Sequence, residues 1–221
     1  LTTRPIRIAH RGDARRAPEN TLAALLAALE IPACDGVEFD VQASADGVPI
    51  LLHDETLQRV QGRPERPDEL TAAQLEALGV PSLEDVFAAL PHRAFANVEL
   101  KGDPGRAVVE ILAAYRGAEL HDAVISSFEP PSLERVAGLA PAWPRWLNSW
   151  VLEPETVATA VELGCRTVSV EWHALTPASI GLARAAGLEV AAWTVRRRPT
   201  YERLARLEVV AICVEGTALD G

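Results

Sequence analysis

"GVEFDVQASADGVPILLHD", residues 36–54, decides the fold. Two apolar runs of strand length, 36–41 and 48–54, are separated by six residues, too few for a crossover helix, so the runs cannot be parallel neighbours. Asp46-Gly47 is a strong hairpin-turn dipeptide, and a two-residue loop there pairs residue 45 with 48 and hence Asp40 with His53. Side chains two apart on a strand share a face, so Glu38 joins Asp40 and His53, and one hairpin brings two carboxylates and an imidazole together.

Outward from this hairpin, the other strand candidates are IRIAH (6–10), FANVEL (95–100), AVISSF (123–128), RWLNSW (145–150), TVSVEW (167–172), EVAAWTV (189–195) and VVAICVEG (209–216). Amphipathic stretches such as TLAALLAALE, GRAVVEILAAYRG, PPSLERVAGLA, ETVATAVELG and TPASIGLARAAG lie between most of them. This alternation indicates a parallel sheet with helices outside it. Discounting the hairpin's return strand leaves eight strands, the number that closes a TIM (β/α)8 barrel. A doubly wound open sheet is the alternative. Asn20 or Thr21 can cap the first helix, Thr176-Pro177 opens a later one, and Gly164 and Gly187 end two others. The most loop-like interval, LQRVQGRPERPDELT, reads as a surface excursion, so residues 1–221 are expected to form one domain.

The 221 residues are 48% hydrophobic, enough for a large core, with a formal net charge of −10. That charge disfavours nucleic acid or an anionic membrane surface as partner, and no apolar run is long enough to span a bilayer. Cys34, Cys165 and Cys213 are far apart and lack metal-ligand spacing, which fits a reducing compartment. A cytoplasmic setting is the expectation. The chain has no methionine, so a removed leader is left open.

Barrel chemistry collects at the carboxyl ends of the strands, and here those ends are charged. His10-Arg11 ends the first run, Glu38 and Asp40 lie on the second, its hairpin partner carries His53, and Glu99 and Lys101 end FANVELK. Three carboxylates, Glu38, Asp40 and Glu99, make an oxygen-rich set suited to a hard divalent cation, Mg2+ or Ca2+. Singly, each of these residues has an ordinary structural reading. Together on one rim, so many charges would be destabilising without a function.

His10-Arg11-Gly12, Pro18-Glu19-Asn20-Thr21, Glu38-x-Asp40, Asp46-Gly47 with His53-Asp54, Glu99-x-Lys101 and Trp193-Thr194-Val195 follow one another in an order that resembles the glycerophosphodiester phosphodiesterase family over nearly the whole chain. The resemblance implies a barrel of the phospholipase C-like phosphodiesterase type. It also implies a divalent metal on Glu38, Asp40 and Glu99, and His10 and His53 as an acid and base pair. Arg11 and Lys101 are implied phosphate contacts. The implied reaction is hydrolysis of a small glycerophosphodiester to glycerol 3-phosphate and an alcohol. A lipase acting on intact lipid and a non-catalytic barrel binding phosphate metabolites are the competing readings; the short polar loops count against the first and the retained histidines against the second.

Trp150, Glu171 and Trp193 are expected at strand ends as lining for the leaving-group pocket. Trp143, Trp146 and Trp172 are read as packing residues, and His92, His121 and His173 as solvated loop residues. Relatives commonly carry an asparagine after the tryptophan motif, an aspartate on the last strand and a threonine-glycine loop after the second histidine. This chain has Arg196, Glu215 and LQRVQGRPE instead.

Overall fold

The computed structural model describes residues 4–103 and 105–221. The nine strands are β1 (Ile6–His10), β2 (Gly36–Ala43), β3 (Pro49–Leu51), β4 (Phe95–Leu100), β5 (Ala123–Ser127), β6 (Arg145–Ser149), β7 (Thr167–Glu171), β8 (Glu189–Val195) and β9 (Ala211–Val214). Eight of them pair in parallel in the order β1-β9-β8-β7-β6-β5-β4-β2, and β2 pairs back with β1. That last pairing closes the barrel and removes the open-sheet alternative.

β3 does not interrupt the closure because β2 outgrows its neighbour. Residues 36–38 of β2 pair in parallel with β1, and residues 41–43 of the same strand pair antiparallel with β3 above the end of β1. The hairpin register differs from the expected one by a residue. Val41 pairs with Leu51, and the N–H of Leu52 donates to the carbonyl of Asp40 at 3.1 Å, so Asp40 faces Leu52 and not His53. The cause is the turn: Ser44 and Val48 bracket a three-residue loop whose last residue, Gly47, sits at φ +77° and adds the bulge residue. His53 reaches the rim from the segment that follows β3, while Leu52 is buried in the core.

Helices α1 (Leu22–Leu29), α2 (Gln58–Gln61), α3 (Ala72–Glu76), α4 (Leu83–Ala89), α5 (Arg106–Arg116), α6 (Pro130–Leu139), α7 (Pro154–Glu162), α8 (Pro177–Ala185) and α9 (Arg198–Ala205) occupy the connections. The excursion 57–71 holds α2 and a 3-10 turn at Pro67–Glu69. Thr21 caps α1 through a bond from the Ala24 N–H, and Thr176 caps α8 with Pro177 in the first turn. The small buried face of α1, Ala24, Leu25, Ala27 and Ala28, lets the turn after β1 pack directly on the helix. Gly12, at φ +85°, has no room for a Cβ beside the Ala24 backbone, which explains the glycine after His10-Arg11. Among the described residues no helix is long and apolar enough to cross a membrane.

The main core lies between helices and barrel wall, with Phe39, Val98, Ile125 and Val168 on the outward faces of the strands. Inside the barrel a smaller apolar layer of Ile8, Val124, Trp146, Ala191 and Ala211 fills the lower end. Above it the inward positions turn polar: Glu38, Asn97, Ser126, Asn148 and Ser169 are all buried. Barrel interiors are ordinarily filled by branched apolar residues, so this polar layer marks the end where the chemistry sits.

Candidate active site

Glu38 and Asp40 point inward from β2 and Glu99 points inward from β4, where Asp40 and Glu99 are directly paired in register. The three side chains each offer an oxygen within 4.8 Å of the others. All three residues are at least nine-tenths buried, at 2%, 1% and 9% exposure. Burial, with the charges of Asp40 and Glu99, holds the Glu38 carboxyl well above its ordinary range. Glu99 is pushed up to about 7 by burial and Asp40, with Lys101 opposing. Asp40 goes the other way: burial would raise it, but Arg11, Lys101 and His53 outweigh burial and hold it below the usual value.

The partners of these carboxylates are uneven. Asp40 accepts from Asn20 Nδ2 at 2.9 Å and lies 3.1 Å from Arg11 Nε and 3.3 Å from Lys101 Nζ. Glu99 pairs with Lys101 and accepts from Asn148 Nδ2 at 2.9 Å. Glu38 accepts from the Arg11 N–H at 3.1 Å through Oε2, while its Oε1 is buried with no hydrogen-bond partner among the described residues. A buried, partnerless carboxylate oxygen beside two further carboxylates fits a hard cation with oxygen ligands.

Both histidines hold their Nδ1 against a carboxylate. His10 Nδ1–H donates to Glu215 Oε1 at 2.5 Å, and its Nε2 lies 3.9 Å from Glu38 Oε2. His53 Nδ1–H donates to Asp54 Oδ1 at 2.7 Å. Arg11 donates to Glu19 Oε1 at 2.7 Å. Arg11 and Asn20 both take left-handed φ of 55°, an uncommon conformation away from glycine, here fixed by the bonds each makes around Asp40 and Glu38.

A cavity of about 770 Å³ opens over this cluster, with His10, Glu38, His53, Glu99 and Lys101 at its inner end. Phe128, Trp150 and Trp193 form one wall: the Trp150 and Trp193 rings cross at 79° with centroids 4.7 Å apart, and the Trp193 indole N–H donates to the Ser169 carbonyl. Trp150 is 66% exposed, so it lines the cavity without being packed into the core. Glu171 lines the same cavity, where it accepts from His173 Nδ1 at 2.7 Å. Two sequence readings change here. Trp172 and His173 are cavity wall as well as packing and loop residues, because the 3-10 turn after β7 folds them over the mouth. His92 and His121 are exposed and away from the cavity, and Trp143 and Trp146 are buried packing residues. A second cavity meets the first at His53 and Lys101 and is lined by Asp54, Glu55, Asp68 and Glu129.

Several residues of the site carry no sequence signal sufficient to place them. Asn148 and Phe128 are legible only as inward-facing strand-end positions. Arg59, which donates to both Asp54 and Glu19, comes from the charged excursion and carries no motif at all.

Residues 10–218 match the glycerophosphoryl diester phosphodiesterase family. The chain is 29% identical to the glycerophosphodiester phosphodiesterase of Caldanaerobacter subterraneus, over 94% of this chain and 93% of that protein. It is 30% identical to the probable glycerophosphodiester phosphodiesterase 2 of Mycobacterium tuberculosis, over 95% of this chain and 87% of that protein. Among solved structures, an Oleispira antarctica phosphodiesterase in complex with the product sn-glycerol-3-phosphate superposes with a TM-score of 0.85 at 26% identity, covering 96% of this chain and 93% of that one. The glycerophosphodiester phosphodiesterase of Thermotoga maritima has the same fold, with a TM-score of 0.82 at 23% identity over 97% and 96% of the two chains. With the barrel closed in the same way and the match running from His10 to Ala218, the chain belongs to the glycerophosphoryl diester phosphodiesterase family of phosphoric diester hydrolases.

Proposed function

We propose that the chain hydrolyses small glycerophosphodiesters to glycerol 3-phosphate and an alcohol, using a divalent cation held by Glu38, Asp40 and Glu99 and proton transfer by His10 and His53. The observation that carries the reading is the three-carboxylate cluster with the partnerless Glu38 Oε1, enclosed by two histidines, an arginine and a lysine. The likeness to the Oleispira antarctica enzyme, solved with sn-glycerol-3-phosphate, supports the substrate class. When bound, a hard divalent cation such as Mg2+ or Ca2+ supplies positive charge against a non-bridging phosphoryl oxygen as negative charge builds there.

The chain's own residues do the remainder. Arg11 and Lys101, each largely buried and anchored to Asp40, present fixed cationic groups to the anionic phosphoryl with little reorganisation. With Nδ1 committed to Glu215 or Asp54, each histidine has Nε2 for proton transfer. One accepts the proton of the attacking water, whose oxygen bonds to phosphorus as the ester bond breaks, and the other gives a proton to the departing alkoxide. The two arms of a diester have two cavities to occupy, which meet at His53 and Lys101. Trp150, Trp193 and Glu171 give one of them an aromatic wall with a polar contact for the alcohol or glycerol portion.

The test is a panel of glycerophosphocholine, glycerophosphoethanolamine, glycerophosphoinositol and intact phospholipid, assayed for released glycerol 3-phosphate with Mg2+, Ca2+ or Mn2+ and after chelation. Turnover of the small diesters that chelation abolishes is expected. Activity confined to intact lipid, or undiminished after chelation, overturns the reading.

A further inference from the structure

We propose that Arg196 and Arg59 are positioning residues for the two histidines, each clamping the carboxylate that fixes one imidazole's tautomer and orientation. This rests on the assignment of His10 and His53 to proton transfer. The order imidazole Nδ1, carboxylate, guanidinium Nε recurs on both sides of the cavity. His10 Nδ1 meets Glu215 Oε1 at 2.5 Å, and Arg196 Nε donates to the other oxygen, Oε2, at 2.8 Å. His53 Nδ1 meets Asp54 Oδ1 at 2.7 Å, and Arg59 Nε donates to Oδ2 at 2.6 Å.

A carboxylate that is ionised only accepts, so the ring nitrogen facing it must carry the hydrogen. Burial would raise Glu215, but His10 and Arg196 hold it down to about 2. Asp54 is likewise held to about 2, by Arg59 first, with burial opposing and His53 assisting. Each Nδ1 is therefore the protonated nitrogen of the neutral ring, and Nε2 is the one that takes or gives the proton. A carboxylate on a free rotamer would not enforce this. The guanidinium does, by occupying the oxygen that the histidine leaves open; on Asp54 a second nitrogen of Arg59 also reaches the shared Oδ1 at 3.1 Å.

Neither arginine owes its place to the core. The Arg196 and Arg59 side chains are 70% and 49% exposed, and exposed ion pairs of this kind contribute little to stability. Arg196 and Glu215, 19 residues apart in the chain, meet each other at His10. Arg59 comes from the excursion after His53. It also binds Glu19 at 2.6 and 2.8 Å, and Glu19 accepts from Arg11, so His53 is tied to the phosphate-facing arginine through one chain of charges.

The test uses the whole chain with 15N-labelled histidine and the variants Arg196→Gln, Arg59→Gln, Arg196→Lys and Arg59→Lys. In the wild type, long-range 1H–15N spectra of the neutral rings should show His10 and His53 as Nδ1–H tautomers. Each glutamine variant should move its own histidine toward a mixture and leave the other unchanged. Turnover should fall through kcat by about 10–100-fold, the range for losing a group that orients a functional histidine, with KM little altered, and the lysine variants should recover part of both. Unchanged tautomers in folded variants, or a loss carried by KM, overturns the proposal. A folding failure in a glutamine variant leaves the lysine variant to decide by the same spectra. The spectra need no substrate, so a wild-type chain without diesterase activity would sink the proposed function and leave this result standing.

Discussion

Glu38→Gln should stabilise the metal-free protein and abolish most of its response to metal. The carboxylate oxygens of Glu38, Asp40 and Glu99 lie within 4.8 Å of one another. At that separation a like-charged pair repels by about 3.5 kcal/mol at an effective dielectric of about 20. Where Glu38 is ionised it faces two such neighbours, with the Arg11 charge opposing them, so at the upper end of the pH range the relief is about 1–3 kcal/mol on that scale. Glutamine keeps an oxygen to accept the Arg11 N–H and puts a donor where Oε1 now has no partner. For a chain of this length about 1 kcal/mol moves Tm by roughly 2–4 °C.

The pH dependence has a definite sign. A carboxyl raised on folding binds more protons in the folded than in the unfolded state, so it lowers stability as pH rises between its ordinary and its raised value. Glu99, ordinarily near 4.5 and here about 7, sets that window for the metal-free protein, and Glu38 adds to it in the same direction. Thermal unfolding in EDTA should therefore show wild type losing Tm from about pH 4.5 through pH 7, with Glu38→Gln losing less and exceeding wild type at pH 8. With Mg2+ or Ca2+ at about 100 times Kd, wild type should gain about 2.7 kcal/mol, and the order of the two proteins should reverse. A variant less stable than wild type in EDTA at pH 8, or one with an undiminished metal-induced shift, refutes the reasoning.

His10→Ala and His53→Ala should each lower kcat by on the order of 10² to 10⁴, and the one that removes the general acid should recover disproportionately on a nitrophenyl ester, whose leaving group needs no proton; equal losses on both substrates would rule out a dedicated acid. Trp150→Ala should leave Tm nearly unchanged, because the side chain is 66% exposed, while raising KM through loss of the wall it forms with Trp193; an unchanged KM across the diester panel would remove Trp150 from the pocket. Asp54 and Glu215, both held near 2, contribute stability that is present above the ordinary carboxylate range and is lost as pH falls toward 2. Asp54→Asn should flatten that acid limb of the Tm profile, and an unaltered limb would contradict the ion pairs.

The eight-strand count, the inward pair Glu38 and Asp40, and the charged strand ends are legible in the sequence because they rest on local rules. Strand parity has a period of two, and a six-residue gap excludes a crossover whatever the remainder of the chain does. The hairpin register was not legible to one residue, since Asp-Gly serves both two- and three-residue loops, and the choice is made by the φ of Gly47 and by Asp46 turning to Ser44 and Ala72. Capping likewise divided two adjacent candidates between different tasks, with Thr21 closing α1 and Asn20 holding Asp40. Tertiary structure alone decided which partners complete the site. Glu215 meets His10 across 205 residues, Asn148 meets Glu99 across 49, and Arg59 meets Glu19 across 40. Such pairs depend on how far each strand is staggered when the barrel closes and on how the excursion folds back over the rim. Those are properties of the whole ring of hydrogen bonds, and no local periodicity encodes them.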